Sequence, residues 1–223
     1  QAAKWSHMFG GQANPQVTIR GIINRGGEQG AQHSQALHAW FAHVPGLRVV
    51  MPSTVADARD LLIASVLCKD PVVYIDDRWL YDQEAELLPV HEIRLEDQKP
   101  MITQSGVDIT IVASGHASLL AREASKQLKN KDILSEVIDI RVLNPFNAEV
   151  IIESVMKTKH LLVVDSGWLS TGFSGEIVAK VIERLPVGCL QKPPVRIALP
   201  DAPAPTSRVL EKAYYTSVDD VVN

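Results

Sequence analysis

One stretch of this sequence has residue types and spacing suited to chemistry. Gly26-Gly27-Glu28-Gln29-Gly30 is a glycine-rich bend that leads through Ala31 and Gln32 to His33 and Ser34. Glycines at these positions let the chain turn where other residues rarely go, and such a loop is costly to order unless something is bound or processed on it. A histidine at the entrance of a following helix is disfavoured as a cation by the helix macrodipole. His33 is therefore expected to donate a hydrogen bond or accept a proton near neutral pH. Residue type alone leaves a plainer reading open, in which the ring caps the helix and packs beneath the loop.

Other groups are weaker candidates. His38 and His43 follow His33 at five-residue steps, which at about 100° per residue point to different sides of a helix. A zinc site wants closer spacing with a third ligand, and no HExxH is present, so these are expected to be surface or packed histidines. His116 follows Ser114-Gly115 at the expected end of a strand, where open α/β sheets bind ligands, although most residues in such turns are structural. Asp165-Ser166-Gly167-Trp168 and Thr171 to Glu176 form a similar strand-loop-helix passage. A phosphate cradle there is conceivable, but neither GxGxxG nor GxxxxGK[ST] occurs, and interdomain packing is more economical. No GxSxG elbow is present, and Ser34 beside His33 lacks a third orienting group, so a hydrolase has little support.

The elements that must position these groups can be read from periodicity. Val17 to Ile23 reads as a strand entering the glycine loop. Leu37, Trp40, Phe41 and Val44 predict a helix over 34–44 that buries one face and ends at Pro45-Gly46. Leu47 to Met51 is a short strand, Thr54 and Asp57 resemble a helix cap, and Val72 to Ile75 is a further strand. Nearly continuous apolar strands alternating with helices imply parallel sheets covered on both faces. Residues 76–105 lose periodicity, with one short extended piece expected near Val90 to Leu95. A second alternation follows, with strands at 109–113, 135–140, 161–164 and 195–198 and helices near 117–129, 148–156 and 174–184, then two short terminal helices. The fold class is therefore α/β with two doubly wound domains, residues 1–82 and 106–223, joined by a linker over 83–105.

Composition sets the class. The 223 residues are 46% hydrophobic and 22% charged, with a net charge of -4 and mean hydropathy of +0.02. This is a globular profile, and no apolar run approaches the length of a membrane span. Scattered Lys and Arg with a negative balance argue against nucleic acid. Cys68 and Cys189 make no metal or redox spacing and point to a reducing compartment. The chain begins without an initiator Met or a signal peptide, and is expected to be cut at its N-terminus.

The order of segments resembles a known family. GAQHSQ at 30–35, HAWFAHVP at 38–45, GLRVVMPST at 46–54, DARDLL at 57–62 and DPVVY at 70–74 resemble the β subunit of thiamine-diphosphate-dependent 2-oxo acid dehydrogenases. DITIVASG at 108–115, EVIDIRVLNPFN at 136–147, SVMKTKHLLVVDSGW at 154–168, GFSGEI at 172–177 and PDAPAP at 200–205 extend the resemblance over nearly the whole chain.

The resemblance implies an incomplete pyrimidine-binding-type domain followed by a transketolase C-terminal-type domain. It makes His33 the active-site histidine, acting as the acyl group leaves for a lipoyl carrier. It implies a monovalent cation, potassium, held by backbone near Ser65, Val66, Cys68 and Asp70, with Cys68 standing where the family has an acidic residue. Thiamine diphosphate would be shared with an α subunit carrying GDG...N and with a glutamate and an aromatic that precede Gln1, so this chain alone is expected not to bind it productively. The implied partners are the α subunit, a second β subunit and a lipoyl-bearing acyltransferase, with no nucleic acid and no membrane. The implied setting is bacterial cytoplasm or mitochondrial matrix. An edge left unpaired in the first sheet predicts self-association, partner binding or partial disorder over residues 1–90. Alternatives are the C-terminal half of a transketolase or deoxyxylulose-phosphate-synthase-type enzyme, or a non-catalytic module docking through Asp219 and Asp220.

Overall fold

The computed structural model describes residues 1–86, 88–90 and 92–223. After helix α1 (Ala2–Met8), strand β1 (Thr18–Ile23) leads into the glycine loop and two short helices, α2 (Gly30–His33) and α3 (His38–Ala42). Strand β2 (Arg48–Val50), helix α4 (Val55–Leu67) and strand β3 (Val72–Asp77) follow, then 3-10 turns at Arg78–Leu80 and Leu95–Asp97. The remainder is β4 (Met101–Gln104), β5 (Ile109–Ala113), α5 (His116–Lys129), β6 (Ser135–Asp139), β7 (Val142–Asn144), α6 (Glu149–Thr158), β8 (Leu161–Trp168), α7 (Phe173–Ile182), β9 (Val195–Leu199), α8 (Arg208–Tyr214) and α9 (Val218–Val222).

Two sheets result, ordered β1-β3-β2-β7 and β4-β6-β5-β8-β9. In the first, β1 and β2 run parallel to β3, and β7 pairs antiparallel with β2. In the second, β5, β6, β8 and β9 are parallel and β4 pairs antiparallel with β6. The expected parallel sheets are therefore present, and each carries an antiparallel edge strand that periodicity did not show. β7 lies in the second half of the chain yet completes the first sheet. Among the described residues β1 forms the opposite edge, with Ile19 and Ile22 more than half exposed.

The local causes are simple. Helix α4 starts at Thr54 because its hydroxyl accepts the Asp57 amide at 3.1 Å, the capping geometry expected from sequence. The expected helix over 34–44 is corrected, because Ser34 leaves helical dihedrals and the segment splits into α2 and α3. Its polarity is also reversed, since Trp40 is 69% exposed while His38 is turned inward at 1%. Of the extended piece expected near Val90 to Leu95, His91 lies outside the described residues, and Leu95 instead begins a 3-10 turn and is buried.

The two halves share one core. Val49, Met51 and Val73 of the first sheet belong to the same buried cluster as Val112, Ile138, Ile151 and Val163 of the second. Polar groups cross the same seam. Arg141 binds Asp57 through Nη2 to Oδ1 at 2.7 Å and Nε to Oδ2 at 3.0 Å. Ser53 donates to buried Asp139, which also accepts from Ser118 at 3.0 Å, and Arg122 donates to the Ser53 hydroxyl at 3.0 Å. Such pairing is what makes buried charge tolerable.

Candidate functional site

The parallel strands β1 and β3 deliver the glycine loop and the pair Asp76 and Asp77 to the same edge of the first sheet, the carboxyl end where open α/β sheets place ligands. Gly26, Gly27, Glu28 and Gly30 all have positive φ, between 61° and 69°. Two of these glycines are sterically required: a Cβ on Gly26 would lie 2.4 Å from the Trp79 ring, and one on Gly30 would lie 2.8 Å from Thr206 Oγ1. Asn24 closes the loop internally, donating to Gln29 Oε1 at 3.3 Å. Beyond it, α2 is one turn long, and His33 is its last residue with the side chain exposed.

His33 thus sits at a helix C-terminus, which corrects the expectation of a helix entrance and removes the dipole argument for its protonation state. It does not cap or pack beneath the loop. It is presented to solvent beside a strained bend.

Under the loop lies a buried layer that sequence reasoning missed. The Arg25 guanidinium is 6% exposed, pairs through Nη2 with fully buried Asp77 and lies over the Trp79 ring at 5.6 Å. Trp79 also meets His116 edge-on at 5.1 Å and Tyr215 at 5.7 Å. Burial, and then the positive charge of Arg25, push the His116 imidazole down to about 4, with Asp77 acting in the opposite sense. His116 therefore stands at a strand end as expected but is packed inside as a neutral ring. Only the three-dimensional pairing exposes this layer: Arg25 and Asp77 are 52 residues apart.

A second buried group joins the halves. His38 Nε2 is 2.8 Å from Asp165 Oδ1, and Asp165 also accepts the Gly167 amide at 2.9 Å and the Ser174 amide at 2.8 Å. Burial opposes its charge, yet the His38 ring and these amides hold the Asp165 carboxyl below the usual carboxylate range. The Asp165 to Glu176 passage is thus a packing element that receives His38. Beside it, a cavity of about 870 Å³ lies between α3 and α7, lined by residues including Trp40, Phe146, Trp168 and Lys180. A cleft of about 240 Å³ lies at the ends of β2 and β3, between Ser53, Thr54, Asp76 and Tyr81.

The four residues of the expected cation site lie together at the end of α4. The Ser65 carbonyl accepts Thr18 Oγ1 at 2.8 Å and Val66 is exposed. Burial pushes the Cys68 thiol up, and Asp70 binds Arg48 Nε at 2.7 Å. Among the described residues no group of three or more His, Cys, Asp and Glu side chains is disposed to hold a metal ion. Among the described residues no helix is long and apolar enough to cross a membrane.

Two perturbed groups predict opposing pH effects. Burial, then nearby Asp57, raise the Asp139 carboxyl to about 6, against hydrogen bonds from Ser53 and Ser118 and the charge of Arg122. A raised acid favours the fold when protonated, so its contribution is complete at low pH and is lost as pH rises through about 6. A depressed base does the reverse, so the His116 contribution is complete above its unfolded value and is lost as pH falls towards about 4. Between pH 4 and 6 the two slopes, each up to about 1.4 kcal/mol per pH unit, oppose. Relative to the parent, Asp139→Asn is expected to lose stability more steeply on acidification and His116→Gln less steeply. Urea titrations at stepped pH values check this, and parallel slopes in all three proteins would refute it.

Similarity to known proteins follows this architecture. Residues 1–83 match the transketolase pyrimidine binding domain and residues 98–221 the transketolase C-terminal domain. The chain is 36% identical to a pyruvate dehydrogenase E1 component subunit beta of Rhizobium meliloti, over 100% of this chain and 48% of that protein. It is 37% identical to the mitochondrial counterpart of Caenorhabditis elegans, over 99% and 64%. With the acetoin:2,6-dichlorophenolindophenol oxidoreductase subunit beta of Bacillus subtilis it shares 35% identity, over 100% and 65%. The chain thus spans between about half and two thirds of the length of these relatives. Among solved structures, a split-gene transketolase described as an inactive beta4 tetramer superposes with a TM-score of 0.75 at 24% identity, over 94% of this chain and 65% of that one. Because the C-terminal domain match alone takes in more than half of the residues, this chain belongs to the family defined by the transketolase C-terminal domain.

Proposed function

We propose that this chain is the β-type component of a thiamine-diphosphate-dependent 2-oxo acid dehydrogenase, supporting decarboxylation of a 2-oxo acid and transfer of the acyl group to a lipoyl carrier. The observation that carries the reading is His33, exposed at the end of a left-handed glycine loop on the carboxyl edge of the pyrimidine-domain sheet. Similarity to pyruvate dehydrogenase β subunits along the whole chain supports it. In this reading residues 1–82 are the pyrimidine-binding-type part, 83–105 the link and 106–223 the transketolase C-terminal-type part.

The residues present do not fit the whole cofactor. At this edge Asp76 is paired with Arg20, Asp77 with Arg25, and Glu211 with the Glu28 amide. None of these carboxylates is free to engage an aminopyrimidine. What this chain supplies is one wall and one acid-base group: His33 holds or delivers a proton at a substrate oxygen or sulfur set against the loop. The remaining ligands come from an α-type partner and from the glutamate and the aromatic that the resemblance places ahead of Gln1. In the same reading a potassium ion rests on the backbone near Ser65, Val66, Cys68 and Asp70, and a second β-type chain and a lipoyl-bearing acyltransferase complete the assembly.

Calorimetry with thiamine diphosphate and magnesium tests the shared site. The isolated chain is expected to give no tight binding, and the full-length β-type protein together with the α-type partner to give it. Tight, magnesium-dependent binding by the chain alone would overturn the arrangement. A transketolase-type reading is separated from the first by where the transferred carbon unit ends up.

A further inference from the structure

The loop that presents His33 cannot hold itself. Four of its residues between 26 and 30 have positive φ, and one of them, Glu28 at 61°, is not glycine. A side chain in that conformation persists only when its surroundings impose it. The helix that follows is a single turn of four residues, too short to stabilise its own start.

Imposing contacts come from Trp79 and from the segment 206–215. Glu211 Oε1 accepts the Glu28 amide at 2.9 Å across 183 residues of sequence. The Glu211 residue is 6% exposed, so this is a carboxylate taken out of water to meet a backbone N–H. Thr206 closes against Gly30, and Tyr215 backs the Trp79 ring that lies against Gly26. The segment is in turn fixed to the second sheet. Tyr214 donates its hydroxyl to the Ala202 carbonyl at 2.7 Å and accepts Trp168 Nε1 at 3.0 Å, and Trp168 is the last residue of β8.

We infer that Glu211 is a positioning residue for His33: through the Glu28 amide it locks the glycine loop to the C-terminal segment and sets where the imidazole stands. The inference rests on the reading that His33 is the acid-base group. It does not need that reading for its structural half, which can be tested on the protein alone.

Glu211→Met keeps the buried stem and removes the acceptor, while Glu211→Gln keeps an acceptor oxygen. Hydrogen exchange on the full chain is expected to show amides 26–33 exchanging at least about tenfold faster in Glu211→Met, near parental rates in Glu211→Gln, and β5 and β8 unchanged in both. In the full-length β-type protein reconstituted with the α-type partner, Glu211→Met is expected to lower kcat for lipoyl acylation about tenfold in the His33 background and to have no further effect in His33→Ala. Unchanged exchange in the loop, or an equal loss of acylation with and without His33, would overturn the inference. If the parent assembly acylates no lipoyl carrier, the functional reading fails, and the exchange result still decides whether Glu211 locks the loop.

Discussion

Replacing His33 by alanine is expected to lower acyl transfer to a lipoyl carrier by about 10²- to 10⁴-fold, the range over which a positioned acid-base group contributes. Stability should stay within about 0.5 kcal/mol, because the side chain is exposed and packs on nothing whose loss opens a cavity. The combination is diagnostic. A histidine that merely ordered the loop would lower both quantities together. Here the loop is ordered from elsewhere, by Glu211 on Glu28 and by Trp79 against Gly26. Steady-state acylation in the reconstituted assembly and urea unfolding of the same preparations measure the two effects. Retention of more than about a third of the activity would remove His33 from the proton transfer.

Truncating Arg25 is expected to have the largest effect on stability. Asp77 is fully buried, and its charge is met by the Arg25 guanidinium and by the Trp79 amide at 3.2 Å. Arg25→Ala strands that carboxylate, a loss that costs about 3–5 kcal/mol when one partner of a buried pair is removed. The guanidinium also forfeits its place over the Trp79 ring, and Trp79 would then support Gly26, His116 and Tyr215 less firmly. Removing both charges is milder, so Arg25→Met with Asp77→Asn should unfold within about 1.5 kcal/mol of the parent. Urea midpoints at neutral pH for the parent, Arg25→Met, Asp77→Asn and the double variant give the coupling, and Arg25→Ala is measured beside them. A loss under about 1 kcal/mol in Arg25→Ala would mean that Asp77 finds another partner or is protonated.

The parts legible in sequence are those whose signal is local. Val72 to Ile75, Ile109 to Ala113 and Leu161 to Val164 read as strands because central strands of parallel sheets are apolar on both faces, and all three are central. The start of α4 is legible because Thr54 caps it with its own hydroxyl. β4 and β7 escape because they are short antiparallel edges without a continuous apolar run, and β7 pairs with a strand about 90 residues earlier. The 34–44 segment misleads because Trp40 and Phe41 give helical spacing to a face that stays exposed, while the inward side is made of small Ala36, Ala39 and Ala42 with polar His38.

The candidate site divides the same way. His33 is legible because a glycine loop in front of a histidine is a local pattern, and its family role came from resemblance. Arg25 with Asp77, His38 with Asp165 and Glu28 with Glu211 lie 52, 127 and 183 residues apart. No periodicity relates such positions. Only the register of two sheets and the return of the C-terminal segment across them bring these pairs together.

The central claim is that this chain serves acyl transfer from a 2-oxo acid to a lipoyl carrier. The most direct test supplies the full-length β-type protein, reconstituted with an α-type partner, thiamine diphosphate and magnesium, with an acyl-labelled 2-oxo acid, a lipoylated carrier domain and an aldose phosphate together. The expected result is label on the carrier as a thioester that depends on both the 2-oxo acid and His33. Label recovered in a ketose phosphate, with none on the carrier, would contradict the account and establish the transketolase-type reading.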